Sequence, residues 1–473
     1  MLTGRWMGWA AAGAMLAISG CGDDPGRGAD GDGDGGGLVT LDGGEETEDA
    51  SGVDDGGQTE GADGADGATS APNDDDGSAG EDDGDASTLF DIPNPPPPSG
   101  CGAGGDIGGG GTTFSYIWIA NSPQGTVSKI DTETGVELGR YNASSAGNSP
   151  SRTSVNQYGD VAVASRGAAG SLTKIAATEE DCVESNGIPG IQTSTGAADV
   201  LGYGQDECVL WNTPLPSANY ERGPRAVAWE GGEIDPNTCE NTVPDPRVWV
   251  SWHGDGNNIE IRRIDGTTGA ILDSAVAVGG GGRTYGGAVN GDGDFWVATR
   301  GGQDNLIHTN AVTMETTVYN VPAGDNYGMA VDANGDPWVV TYNSGTNYVY
   351  RLDMATGNFV TAATSAGRFR GIQIDREGRA WIAGNTPCRL TLVDAVTDSL
   401  IDDAIPLPGC ATPVGTSIDA AGFVWVVDQG TSTAYKVDPD TYDVVQTVGG
   451  LVSPYTYSDM TGAGLDLVVN PPG

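Results

Sequence analysis

Residues 413–437 read PVGTSIDAAGFVWVVDQGTSTAYKV. In this stretch Gly415 to Ile418 alternates small or polar with apolar residues, Asp419 to Gly422 forms a tight turn, and Phe423 to Val427 is an apolar run. The pattern is that of a β-hairpin: period-two alternation, then turn residues, then a buried strand. Asp can accept from its own backbone two residues on, and Gly accepts a positive φ, so the turn chemistry agrees.

The same unit recurs at Tyr285 to Thr299 (YGGAVNGDGDFWVAT), Tyr327 to Thr341 (YGMAVDANGDPWVVT) and Arg370 to Gly384 (RGIQIDREGRAWIAG). Its tryptophan falls at Trp249, Trp296, Trp338, Trp381 and Trp425, with spacings of 47, 42, 43 and 44. A repeat of about 40–45 residues built from short strands is a propeller blade, which must stack against neighbours to bury both faces. Second-strand segments are expected at Tyr116 to Ala120, Asp160 to Ala164, Arg247 to Ser251, Asp294 to Ala298, Pro337 to Val340, Ala380 to Ala383 and Phe423 to Val427. Only the last six have a first strand ahead of them. The sequence therefore predicts an all-β, seven-bladed propeller of four-stranded blades over residues 113–473, in which Pro454 to Met460 (PYTYSDM) completes the first blade. Closing the ring with strands from both ends leaves no frayed terminal blade. The repeated tryptophans are expected to pack between blades.

The chain before residue 113 is of a different kind. Residues 6–18 (WMGWAAAGAMLAI) follow Arg5 and end in Ile18-Ser19-Gly20-Cys21. Thirteen apolar residues are too few to span a bilayer and read as a secretory signal peptide, residues 1–20. The ending resembles the lipobox of bacterial lipoproteins, which implies lipidation of Cys21 and an anchor in the cell envelope, at the outer membrane, periplasmic or surface-exposed. Residues 21–112 are Gly, Asp, Ala, Ser and Glu with few large apolar residues. Asp23 to Asp106 holds 24 acidic residues and one basic residue, Arg27, out of a whole-chain formal charge of -45. Such a segment buries too little to fold and is predicted to be a disordered tether with a reach on the order of 50 Å.

Seven cysteines are present. With Cys21 set aside, six remain in an exported chain, where disulfides are expected. In a propeller the loops joining strands two to three and four to one lie on one face, here called the top. Cys388 follows a second strand and Cys410 precedes a first strand, so both lie on top; Cys182 and Cys208 flank the Val183 to Glu207 insertion on the bottom. The predicted pairs are Cys388 with Cys410 and Cys182 with Cys208, leaving Cys101 with Cys239.

Basic and phenolic residues collect where first strands begin (Arg152, Arg225, Arg283, Tyr285, Tyr327, Arg370, Tyr455) and where second strands end (Arg166, Arg300, with His253 in the following loop). All of these positions converge on the top of the channel. Guanidinium groups offer paired donors and phenols a stacking face with a hydroxyl, so the expected ligand is a small anionic or sugar-like molecule, or a protein partner. Pairing of these arginines with Asp residues of neighbouring blades is the competing structural explanation. With two histidines, His253 and His308, the chain lacks the ligands for a zinc or haem site, and no cofactor or metal is predicted. The Asn290 to Asp294 segment spaces oxygen ligands somewhat like a Ca²⁺ or Mg²⁺ loop, but position six is Phe295 and position twelve is Gly301, so it reads as a hairpin turn. The expected partners are the membrane, through the lipid, and the channel ligand; no nucleic acid is expected, and the propeller should be monomeric.

The repeat x-G-x-x-x-D-x-x-G-x-x-W-V/I-x resembles that of the streptogramin (virginiamycin B) lyases and the broader NHL-like propellers. The resemblance implies the propeller fold and, for the lyases, elimination at a cyclic ester by histidine and glutamate with a divalent metal. Here the ring positions carry Arg225, Tyr285, Tyr327, Arg370 and Tyr455, none of them histidine, and His253 is the sole candidate base. Binding is therefore the expected function, and an altered C–O lyase the alternative.

Overall fold

The computed structural model describes residues 115–145, 149–232 and 247–472. The signal segment, Cys21, the acidic tether, Cys101 and Cys239 lie outside the described residues. Among the described residues, twenty-seven strands form seven antiparallel sheets, six of four strands and one of three. Sheets two to seven begin with the inner strands Pro150–Val155, Ala226–Trp229, Arg283–Val289, Asn326–Val331, Phe369–Ile374 and Pro413–Ile418. Successive inner strands lie against one another around a central axis, which is the seven-bladed propeller predicted from the repeat.

The geometry explains the repeat residue by residue. A Cβ added at Gly328 would lie 2.2 Å from the Arg370 carbonyl oxygen, and one at Gly371 would lie 2.7 Å from Gly415 Cα. Glycine stands at this position because the inner strands touch backbone to backbone near the axis. Four residues later, Asp332, Asp375 and Asp419 each accept with one carboxylate oxygen from turn N–H groups. With the other they accept from the indole Nε1 of Trp338, Trp381 and Trp425 at 2.8–2.9 Å. The fixed Asp-to-Trp spacing is thus a hydrogen bond across the hairpin as well as a packing rule. In two blades without that aspartate the indole bonds to the next blade: Trp118 Nε1 donates to the Gly159 carbonyl at 3.1 Å and Trp249 Nε1 to that of Gly293 at 3.2 Å. Each of these five tryptophans, and Trp296, is fully buried.

The first blade contains three regular strands, Tyr116–Asn121, Thr126–Asp131 and Glu137–Asn142, where four were expected. Pro454 to Met460 is not a regular strand, yet Trp118 N donates to the Met460 carbonyl at 2.9 Å and Tyr455 N to that of Ala120 at 3.0 Å. On its other side, a Cβ at Gly415 would lie 2.1 Å from the Thr456 carbonyl oxygen, the same close approach seen between the other inner strands.

The sequence reading had no helix, and the structure has one at Ala463–Val469. The half-buried Asp459 carboxylate accepts from Gly462 N at 2.8 Å and Leu465 N at 3.0 Å and so sets its first turn. Leu465, Leu467 and Val468 are buried against the inner strands. A cavity of about 30 Å³ is lined by Trp229, Val289, Met329, Gln373, Asp459 and Leu465, so the helix stoppers the bottom of the channel above a water-sized void.

Cys182 and Cys208 are disulfide-bonded with Cα atoms 4.3 Å apart, and Cys388 and Cys410 with Cα atoms 6.1 Å apart. The 183–207 insertion is built on its own blade and the first one. The Glu207 carboxylate accepts from Ser185 N, Asn186 N and Gln192 N, while Ala197 N donates to Glu137 Oε2 at 3.1 Å. No helix among the described residues is long and apolar enough to cross a membrane.

Candidate functional site

At the top of the channel the second strands end in His253, Arg300 and Asn385, or run directly into Arg166 and Tyr342, next to the starts of the inner strands. This strand geometry brings Arg152, Arg166, Arg225, Arg300, Arg370, Tyr285, Tyr327 and Tyr455 into one cluster. All eight are buried, from 0 to 9% exposed, so they fill the channel mouth and do not form an open rim. Arg283 sits at the edge, half-buried, and pairs with Glu221.

The cluster is layered. The Arg152 guanidinium carbon lies 3.4 Å from the ring centre of Tyr457, 5.1 Å from Tyr285 and 5.4 Å from Tyr455. Its Nε donates to the Tyr285 carbonyl at 3.2 Å. Arg166 stands over Tyr455 at 4.3 Å and Tyr220 at 4.7 Å. Arg225 donates through Nη1 to the carbonyls of Glu221 and Gly223, and through Nη2 to that of Tyr220. Opposite them, Arg370 Nη1 donates to the Tyr327 hydroxyl at 2.9 Å and Nη2 to that of Tyr342 at 3.3 Å; Arg368 Nη1 also reaches Tyr342, at 3.2 Å. Asn385, with its amide oxygen turned to Arg370, accepts from Nε and Nη2 at 3.2 Å. Arg300 pairs with Asp325 at 2.6 Å.

Arginine pairing with neighbouring acids therefore holds for Arg300 and Arg283. Among the described residues Arg152, Arg225 and Arg370 meet no carboxylate. Nor do the phenols supply charge, because burial holds Tyr285 above and Tyr327 well above the usual phenol range. Burial, reinforced by the nearby Arg166, pushes Arg152 down to about 9, and burial likewise lowers Arg225. A buried guanidinium without a counter-charge is costly, which makes this the electrostatically strained part of the fold. Tyr342 is the exception among the phenols. Partial burial raises it, but Arg370 and the hydrogen bonds it receives outweigh that and hold it below the usual value.

The sequence reading missed Tyr457, Tyr342 and Arg368. Tyr457 follows Tyr455 at the period of a strand face, Arg368 precedes Arg370 in the same way, and Tyr342 occupies the strand-end position of Arg166 and Arg300. That repeat-by-repeat alignment was the available signal.

His253 lies aside from the cluster, by a shallow recess of about 300 Å³ that Trp252, Asp255, Glu260 and Arg262 also line. Its Nε2 is 2.8 Å from the Gly256 carbonyl oxygen, and burial, with Arg222 and Arg283, lowers its pKa. His308 Nε2 lies 2.7 Å from Asp294 Oδ2. Asp294 also accepts from Ala311 N and Asn310, and Asn290 Oδ1 accepts from Asp292 N and Asp294 N, so the Asn290 to Asp294 segment is a closed hairpin turn. Cys388, Cys410 and Asp428 lie close together, but the sulfurs are bonded to each other and Asp428 accepts from four backbone N–H groups.

No protein-family model matches the sequence, and no curated protein is similar to it. Among solved structures, a Lactobacillus plantarum protein aligns with TM-score 0.51 at 13% identity, covering 72% of this chain and 98% of that one. A streptogramin B lyase aligns with TM-score 0.48 at 14% identity over 71% of this chain and 93% of its own. Virginiamycin B lyase from Staphylococcus aureus aligns with TM-score 0.46 at 13% identity over 67% and 90%. At such identities the likeness is one of fold alone: the chain is a seven-bladed β-propeller.

Proposed function

We propose that the protein is a lipid-anchored, extracytoplasmic binding propeller that holds a small anionic or sugar-like ligand at the top of its channel. The observation that carries the reading is the convergence of five buried arginines on one end of the channel, three of them without a carboxylate among the described residues. A fold that needed these arginines only for packing would gain by replacing them with apolar residues. The signal segment ending at Cys21 and the two disulfides support export, and the acidic tether supports display away from an outer-membrane anchor. A thermal-shift screen of the folded protein with citrate, glucose 6-phosphate, glucuronate and glucose tests the site. The reading predicts stabilisation by at least one of them, lost in Arg368→Gln, and it fails if none responds to any cluster variant. For the anchor, labelled palmitate should enter the wild-type chain and not Cys21→Ser.

A second reading, a C–O lyase with an altered site, has one observation in its favour. Tyr342 is partly exposed and receives two guanidinium donors at the channel mouth, which puts a candidate general base among the arginines, where His253 does not stand. Elimination from a bound acidic ester that vanishes in Tyr342→Phe and survives in His253→Ala would favour it over simple binding.

A further inference from the structure

We infer that the deep side of the cluster, between Arg152 and Arg225, is an oxyanion subsite for a carboxylate or phosphate-type group. This rests on the binding reading above and names the ligand chemistry of its inner end. Arg152 is fully buried, yet neither its Nη1 nor its Nη2 has a hydrogen-bond partner among the described residues, and nor does Nε of the buried Arg225. Buried donors of native proteins are nearly always satisfied, and an arginine cannot escape by losing its proton at neutral pH. The groups around these nitrogens are the rings of Tyr285, Tyr455 and Tyr457, the phenols of Tyr285 and Tyr327 being held protonated, and the like charges of Arg166. Two unpaired nitrogens on one guanidinium present the fork that a two-oxygen anion fits. Tyr457 is the group that closes the subsite. Its ring packs on Arg152 and against Tyr285, Tyr327 and Tyr455, and its hydroxyl has no hydrogen-bond partner among the described residues, so no polar bond of that hydroxyl holds it against an entering anion.

A structural arginine and an anion-binding one respond oppositely to removal, and the test uses this. The full chain is titrated with inorganic phosphate and, separately, with acetate, by thermal shift and calorimetry. Wild type should be stabilised by at least one; a response to phosphate alone marks a phosphoryl group, and a response to both marks any oxyanion. Arg152→Met should be as stable as wild type or more stable in anion-free buffer, and should bind the responding anion at least tenfold more weakly. Arg225→Gln checks the second arm and should weaken binding in the same direction. Tyr457→Ala should bind at least as tightly as wild type. The subsite is overturned if neither anion acts on wild type, or if Arg152→Met binds equally well. It is also overturned if that variant is destabilised without loss of anion response. If phosphate and acetate both fail while a compound from the screen still binds and is lost in Arg368→Gln, the subsite falls and the channel-mouth reading stands. If no ligand responds to any variant, both fall.

Discussion

A methyl group at Gly415 tests ring closure directly. The Cβ of Gly415→Ala would sit 2.1 Å from the Thr456 carbonyl oxygen, at least 1.3 Å inside ordinary contact distance. The obstacle is backbone in the C-terminal segment and cannot rotate away, so either the two chains separate or the hydrogen bonds of Tyr455 and Met460 to the first blade lengthen. Overpacking of this kind costs about 1–3 kcal/mol. With an unfolding entropy of about 2.1 cal/mol/K per residue over about 360 residues, 3 kcal/mol lowers Tm by roughly 4 °C. Urea unfolding of the propeller is the assay, with Gly371→Ala as the matched inner-strand case. Gly449→Ala, whose Cβ meets nothing within 4 Å, is the neutral control. Gly415→Ala and Gly371→Ala should both fall below wild type while Gly449→Ala does not. If Gly371→Ala is destabilised and Gly415→Ala stays within about 0.5 kcal/mol of wild type, Thr456 does not occupy the seventh inner position and the closure argument is wrong.

Three further outcomes follow from the same structure. Asp332→Ala strands Asn334 N, Asp336 N and the buried Trp338 indole N–H, and should cost about 2–4 kcal/mol by chemical denaturation. Asp304, raised to about 6 by burial and by Asp325, bears a folded-state pKa above its unfolded one, so its ionisation opposes folding above pH 6 and not below about 4. After allowance for its partial exposure, Asp304→Asn should gain about 1 kcal/mol at pH 7 and nothing at pH 3.5, measured by urea titration at both. Because Arg152 binds an anion only when charged, affinity should decline as pH rises through about 9, read by calorimetry from pH 7 to 10.

How much of this was legible in the sequence depended on whether the information was local. The blade hairpins were legible because Gly328, Asp332, Gly335 and Trp338 each meet a constraint inside one repeat or between equivalent strands, and the pattern recurs. The disulfides followed from strand order alone. The C-terminal helix was not legible: Ala463–Val469 follows Gly462, contains Gly464 and ends in two β-branched valines, and what holds it is Asp459 and the inner-strand surfaces it meets on folding. Nor was the burial of the cluster. Residue numbers placed Arg152 and Tyr455 at one end of the channel, but how tightly Tyr285, Tyr327 and Tyr457 close around the guanidinium is set by the ring diameter, which no single repeat encodes.

The central claim is that the arginine-rich channel mouth exists to hold an anion, and the most direct measurement is an experimental density map of that mouth in crystals soaked with selenate. The account predicts an anomalous peak within hydrogen-bond distance of Arg152 Nη1 and Nη2 and Arg225 Nε, with the Tyr457 ring displaced. Ordered water on those nitrogens, with Tyr457 still stacked on Arg152 and no anomalous signal, would contradict it.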